Sequence, residues 1–244
     1  MVSIKINDLR KEYKDIVAVN DLNLEINDGE LFALLGVNGA GKTTTIKMLS
    51  TLTKPTSGNA YICGNDINKD DTKIKELIDV SMQETAIARK LSVEENIEFY
   101  AALSGQNKDE IEEIKKYLVD EFDLGKVLKK QASTLSGGWQ RKLSIALSLV
   151  TKPKVLFLDE PTLGLDVIAR RELWKTIMNL KNKMTIILTT HYMEEAEALA
   201  DRIGIMKDGN LLFVGNKEEL YQKTKKNNIE DAFIEVVSGG ALNV

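Results

Sequence analysis

Hydrophobic and polar positions alternate along VSIKIND at the two-residue period of a strand with one buried face, and LNLEI repeats that period. LFALLG, residues 31–36, is apolar throughout, which predicts a strand buried on both faces. TTTIKMLS then reads as a helix, KPTSG as a turn through Pro55 and Gly58, and IDVSMQ, residues 78–83, as another short strand. From Ser92 to about Val150 the period changes. SVEENIEFYAALSG, KDEIEEIKKYLVDEF and WQRKLSIALSLV carry helical spacing, and Ser92 with Glu95 forms a capping box at their entry. Strand-like patterning returns with VLFLD (155–159), MTIILT, RIGIM and NLLFVG, with the helix VIARRELWKTIMNL after the first of these and another helix after the second. KEELYQKTKKNNIEDAFIEVV reads as two short helices.

Strands alternating with helices predict a sheet closed by crossovers. The expected fold class is α/β, with a mostly parallel sheet, an N-terminal antiparallel β portion and an inserted α-helical subdomain. The chain divides into one domain over 1–215, with 1–83 and 151–215 as the α/β core and 84–150 as the helical subdomain, and a short helical tail over 216–244. In such sheets ligands sit at the carboxyl ends of the strands. Three candidate sites fall there: after Leu35, at Asp159, and at His191, the only histidine in 244 residues.

Composition narrows the function. A formal net charge of −4 argues against coating DNA, which needs a basic surplus to neutralise phosphates. A single cysteine, Cys63, excludes an internal disulfide and fits a reducing compartment. The opening MVSIKINDLRKEYKD lacks the apolar stretch of a signal peptide. No segment approaches the roughly 20 apolar residues of a membrane span, so a membrane role calls for a partner.

GVNGAGKTT, Gly36 to Thr44, fits G-x-x-x-x-G-K-[ST] between a strand and a helix. Its glycines let backbone N–H groups curl round a phosphate, and the following helix presents its positive end to the same anion. Lys42 is placed to reach the terminal phosphates of a nucleotide and Thr43 to sit on Mg²⁺. Asp159 and Glu160 end an apolar strand; Asp159 suits Mg²⁺ through water, and Glu160 suits the attacking water. LSGG, Leu135 to Gly138, opens a helix and reads by itself as a flexible helix cap, or else as a second anion site.

The order GVNGAGKTT, Gln83, LSGG, VLFLDEP, LGLD, His191 resembles the ATP-binding cassette family over residues 3 to 215. The resemblance implies a P-loop NTPase core that binds ATP with Mg²⁺ through Gly36, Asn38, Gly39, Ala40, Gly41, Lys42, Thr43 and Thr44. It implies two cassettes packed head to tail, with Ser136, Gly137 and Gly138 of one closing over the ATP of the other. It sets Tyr13 against adenine, Gln83 on Mg²⁺ and water, Asp166 in the loop that crosses the dimer interface, and His191 on the γ-phosphate. Catalysis falls to Glu160, His191 and Gln83, and the metal to Thr43, Gln83 and Asp159.

Trp139 replaces the glutamine that most often follows LSGG in that family, and Gln140 comes after it. The wording is most similar to ATPase subunits of daunorubicin-resistance and sodium-export type exporters, which work with a separate multispan membrane subunit. The residues from Glu84 to Leu103, with Ile87, Leu91, Ile97, Phe99 and Tyr100, are then the docking segment, and most of these side chains are expected in the core. The resemblance implies a cytoplasmic motor, peripheral on the membrane, with no direct insertion and no nucleic acid. The alternatives are a soluble cassette ATPase acting on nucleic acid or ribosomes, and a scaffold that binds ATP without turnover. The acidic run Glu194, Glu195 and Glu197 reads as the solvated face of a helix.

Overall fold

The structure, a computed structural model, describes residues 1–239; positions 240–244 of the 216–244 tail lie outside the described residues. Its strands are β1 (Val2–Tyr13), β2 (Ile16–Asn27), β3 (Leu31–Gly36), β4 (Ser57–Ile62), β5 (Asn65–Asp66), β6 (Ile78–Ser81), β7 (Val155–Asp159), β8 (Thr185–Thr190), β9 (Arg202–Lys207) and β10 (Asn210–Gly215). Its α-helices are α1 (Lys42–Leu49), α2 (Asp71–Lys75), α3 (Val93–Leu103), α4 (Lys108–Glu121), α5 (Gly137–Leu147), α6 (Val167–Leu180), α7 (Met193–Leu199), α8 (Lys217–Thr224) and α9 (Ile229–Ser238).

Two sheets result: β2-β1-β4-β5, antiparallel, and β10-β9-β3-β8-β7-β6, parallel except for the β9–β10 edge. The continuous apolar runs are explained by burial on both faces. In β7, Val155 and Phe157 join the layer shared with the antiparallel sheet, while Leu156 and Leu158 turn to the helices. The layer between the sheets includes Ile4, Ile6, Leu22, Phe32 and Ile46, each at most 2% exposed, and burial of each such side chain contributes roughly 1.5 to 3 kcal/mol.

On the opposite face α3, α4, α5 and α6 pack through Ile97, Leu118, Leu143 and Leu173. Helix α3 begins in the expected box: Ser92 Oγ accepts from Glu95 N, and the Glu95 carboxylate accepts from Ser92 N. At the β9 side α8 and α9 cover α7 through Leu220, Ile229, Ala232 and Phe233, packed with Ala196. Glu197 on α7 takes a hydrogen bond from Tyr221 Oη at 2.8 Å and an ion pair from Lys217 at 3.0 Å, both on α8.

The strand expected over 78–83 is shorter in the structure. β6 stops at Ser81, paired with Leu158, because the carbonyls of Met82 and Gln83 turn away to accept from Arg141. Gln83 therefore stands in an exposed loop beyond the strand end. Among the described residues no helix is long and apolar enough to cross a membrane.

Candidate functional site

Register brings the strand ends together. Leu35 pairs with Thr190 and Asp159 with Thr189, so Gly36, Asp159 and His191 emerge along one edge of the parallel sheet. Between β3 and α1 the chain turns through Gly41, whose φ of 104° suits glycine and whose added Cβ would meet the Ala18 carbonyl oxygen at 2.4 Å. Gly39 also has positive φ, at 83°, but a Cβ there would meet nothing within 4 Å, so the loop faces open space where an anion fits. Lys42 opens α1, bends back, and donates from Nζ to the carbonyls of Gly36 at 2.7 Å and Val37 at 3.2 Å.

The same ammonium lies 3.2 Å from Glu160 Oε1, and both side chains are almost fully buried. Glu160 Oε2 is 2.7 Å from His191 Nδ1. The Glu160 backbone has φ 48°, a left-handed conformation that costs a non-glycine residue about 1 to 3 kcal/mol. Thr189 holds it there: its carbonyl and its hydroxyl both accept from Glu160 N at 3.1 Å. Asp159, 1% exposed, accepts from Thr43 Oγ1 at 3.0 and 3.1 Å and from the Thr189 hydroxyl.

These groups border a cavity of about 650 Å³, large enough for a nucleotide. Tyr13, Asn38, Gly39, Ala40, Gly41, Lys42, Thr43, Thr44, Gln83, Glu160 and His191 line it. Gly36 and Asp159 do not line it themselves but accept hydrogen bonds from Lys42 and Thr43, which do. Tyr13 is 45% exposed at the rim, with Lys11 Nζ 4.9 Å from its ring centre. Ile16, Val17, Ala18 and Asp208 also border the space and carry no motif of their own in the sequence. Hydroxyl, carboxylate and amide oxygens from Thr43, Asp159 and Gln83 form a hard donor set that fits Mg²⁺. Among the described residues no cluster of three or more His, Cys, Asp and Glu side chains is placed to hold a metal.

Ser136, Gly137, Gly138 and Asp166 do not reach this cavity. Ser136 is the N-cap residue of α5, yet its side chain makes no capping bond. Gly138 packs closely on α6: an added Cβ would lie 2.9 Å from Ala169 Cβ. Asp166 Oδ1 caps α6, accepting from Ile168 N and Ala169 N at 2.9 Å. Trp139 packs against the helical core with Lys142 Nζ 4.8 Å from its ring centre. Gln140 holds the preceding turn by donating to the Ala132 and Leu135 carbonyls.

Sequence reasoning missed Arg141. From α5 its guanidinium donates to the carbonyls of Met82, Gln83, Asp159 and Pro161, at 2.6 to 3.2 Å. It is 4% exposed, and burial pulls its pKa down to about 10 despite the nearby Asp159 and Glu195 charges. In sequence it reads only as a polar residue on a helix.

The acidic run needs correction. Glu194 is exposed and Glu197 is half-buried, but Glu195 is 0% exposed and accepts from Trp174 Nε1 at 2.9 Å. Helix α7 is covered by α6 and α9, so only its outermost stripe is solvated.

Known proteins resemble the chain in both sequence and fold. The family described as ABC transporter matches residues 19–163. The human phospholipid-transporting ATPase ABCA3 is 43% identical over 227 residues, which cover 91% of this chain and 13% of that protein. The chain thus spans a small part of that relative's length. A component of the ABC transporter complex cbiONQ from Clostridium perfringens superimposes with a TM-score of 0.84 at 30% identity, covering 91% of each chain. A dimeric ATP-binding cassette in a post-hydrolysis state, bound to ADP and phosphate, gives 0.77 at 25% identity over 87% of this chain and 98% of that one. With the family matched across most of its length and the fold shared almost end to end, the chain belongs to the ABC transporter family and is one of its ATP-binding cassettes.

Proposed function

We propose that this chain hydrolyses ATP to drive a transporter, paired with a second cassette and coupled to a separate multispan membrane subunit. The observation that carries the reading is the cluster of Lys42, Glu160 and His191 at a glycine loop open to an anion, while Ser136 to Gly138 lie outside that cavity. One cassette thus holds half of each of two sites. The glycine loop and Lys42 bind the phosphates, and Tyr13 rests against the base. Bound Mg²⁺, held by Thr43, Asp159 and Gln83, would supply charge neutralisation at the β- and γ-phosphates.

Glu160 aligns the attacking water and takes its proton: its carboxylate lines the cavity, 3.2 Å from Lys42 Nζ and 2.7 Å from His191 Nδ1. His191, with Nδ1 on Glu160, turns its other ring nitrogen to the γ-phosphate. Ser136, Gly137 and Gly138 of the second copy complete the phosphate contacts, and Asp166 lies in the loop between the two. The segment Glu84 to Leu103 docks on the membrane subunit. Its Ile97 is buried, whereas Phe99 at 46% and Leu103 at 68% exposure offer apolar contact. The chain acts on the cytoplasmic face, held to the membrane through that subunit. Export is the favoured direction, and phospholipids, named for the human relative, are the first cargo to test.

The test is Glu160→Gln in the presence of ATP and Mg²⁺. The variant is expected to accumulate as an ATP-bound dimer on sizing and to release phosphate at a rate reduced on the order of a hundredfold. A monomeric variant, with the membrane subunit present and ATP bound, would overturn the paired-cassette reading.

A further inference from the structure

We propose that Tyr192 is a positioning residue for hydrolysis: its ring packs on the imidazole of His191 and fixes the plane in which that imidazole meets the nucleotide. This rests on the ATPase reading above and adds a residue to it. The His191 side chain is 28% exposed, so the core does not lock it in place. Its contact with Glu160, 2.7 Å from Nδ1, holds one atom of the ring and leaves the rest to pivot about that point. The last torsion of a histidine side chain has broad preferences, so the rotamer does not set the plane either. A body against the face of the ring is what removes the pivot.

Tyr192 supplies that body. The centres of the two rings are 4.2 Å apart, with a 40° tilt between their planes. Successive side chains of an extended chain point to opposite sides, so this contact needs the bend at His191 that follows β8. The bend is held from both directions. Tyr192 N donates to Thr190 Oγ1 at 2.9 Å, and the Tyr192 carbonyl accepts from Glu195 N at 3.2 Å and Ala196 N at 3.3 Å in α7. The phenol ring is gripped from a second helix as well: the Arg170 guanidinium of α6 lies 5.0 Å from its centre, where the electron-rich face attracts a cation. His191 borders the nucleotide cavity and also a second cavity of about 680 Å³, whereas Tyr192 and Arg170 border the second and not the first. The effect of Tyr192 therefore passes through the imidazole, and misplacement of a reacting group by about 1 Å is enough to slow a reaction a hundredfold.

The test uses the full protein with its membrane subunit and compares Tyr192→Ala, Tyr192→Leu, Tyr192→Phe and Arg170→Met with the unaltered protein. Single-turnover hydrolysis gives the rate of the chemical step, a fluorescent ATP analogue gives affinity, and thermal melting reports folding. Tyr192→Ala is expected to lower the rate on the order of tenfold while affinity stays within about twofold. Tyr192→Leu fills much of the space without a flat face and should be slowed to a similar degree. Tyr192→Phe keeps the ring and should hold the rate within about twofold, and Arg170→Met, which removes the cation from that ring, should lower it by about threefold. The deciding measurement adds Tyr192→Ala to His191→Ala. A residue that acts only through the imidazole then has nothing left to position, so the double variant should match His191→Ala within about twofold.

An unchanged rate in a folded Tyr192→Ala overturns the inference. So does a full further loss when that change is added to His191→Ala, which places its effect elsewhere. A Tyr192→Phe as slow as Tyr192→Ala also overturns it, by assigning the effect to the hydroxyl. Parallel losses of rate, affinity and melting temperature in the variants without a ring mark an ordinary packing residue and have the same force. If Tyr192→Ala does not fold, a full rate in Tyr192→Leu and Arg170→Met overturns the inference. An unaltered protein that binds ATP without releasing phosphate sinks the ATPase reading, and this one with it.

Discussion

His191 is the residue on which the proposed chemistry turns. Its Nδ1 is committed to Glu160 at 2.7 Å, so only its other ring nitrogen is free to meet a phosphate. Replacement by alanine removes that contact and one restraint on Glu160, while the glycine loop and Lys42 keep their own geometry. His191→Ala is therefore expected to lower phosphate release on the order of a hundredfold with ATP affinity within a few-fold, measured by single-turnover hydrolysis and equilibrium binding. His191 was legible in the sequence because it is the only histidine and follows an apolar strand. Glu195 was not. It lies beside two other acids, and nothing local distinguishes the stripe of α7 that α6 and α9 cover from the stripe left in water. The left-handed backbone of Glu160 was equally hidden, since an acid at a strand end carries no mark of its φ.

Among the elements, α5 does more than open with LSGG. Arg141 links it to the ends of β6 and β7 through carbonyl acceptors that no other side chain reaches with the same planar fork. Lysine at this place has the charge but not the geometry, and leaves several buried carbonyls unpaired. Arg141→Lys is expected to lose about 2 to 4 kcal/mol in urea unfolding and to loosen the Gln83 loop, seen as faster amide exchange there. The existence and type of the long elements were legible from period alone, and α6 spans the residues of VIARRELWKTIMNL. The end of β6 was not, because the partner that diverts Met82 and Gln83 comes from a helix roughly sixty residues away in sequence.

At the scale of the whole molecule, stability and the site share the parallel sheet. Asp79 in edge strand β6 is pushed up to about 6 by burial, against hydrogen bonds from Val80 N and Thr151 Oγ1. The folded state then holds this proton over a pH range in which the unfolded chain has released it. Stability from this group falls as pH rises from about 4 to 6 and is level above. Asp79→Asn can keep both bonds without the charge, so it should raise unfolding free energy by about 1 kcal/mol at neutral pH and flatten that slope, as followed by urea melts across the range. Mostly parallel topology was readable from the alternation of strands and helices, because crossover connections allow little else. How α8 and α9 seat on the sheet was not, since two short amphipathic helices carry no address. Yet their seat is on α7, gripped at Glu197 by Lys217 and Tyr221, directly behind the turn that carries His191. The last two described helices therefore anchor α7, which begins two residues after His191, so a neighbouring protein that displaced them would bear on α7 first.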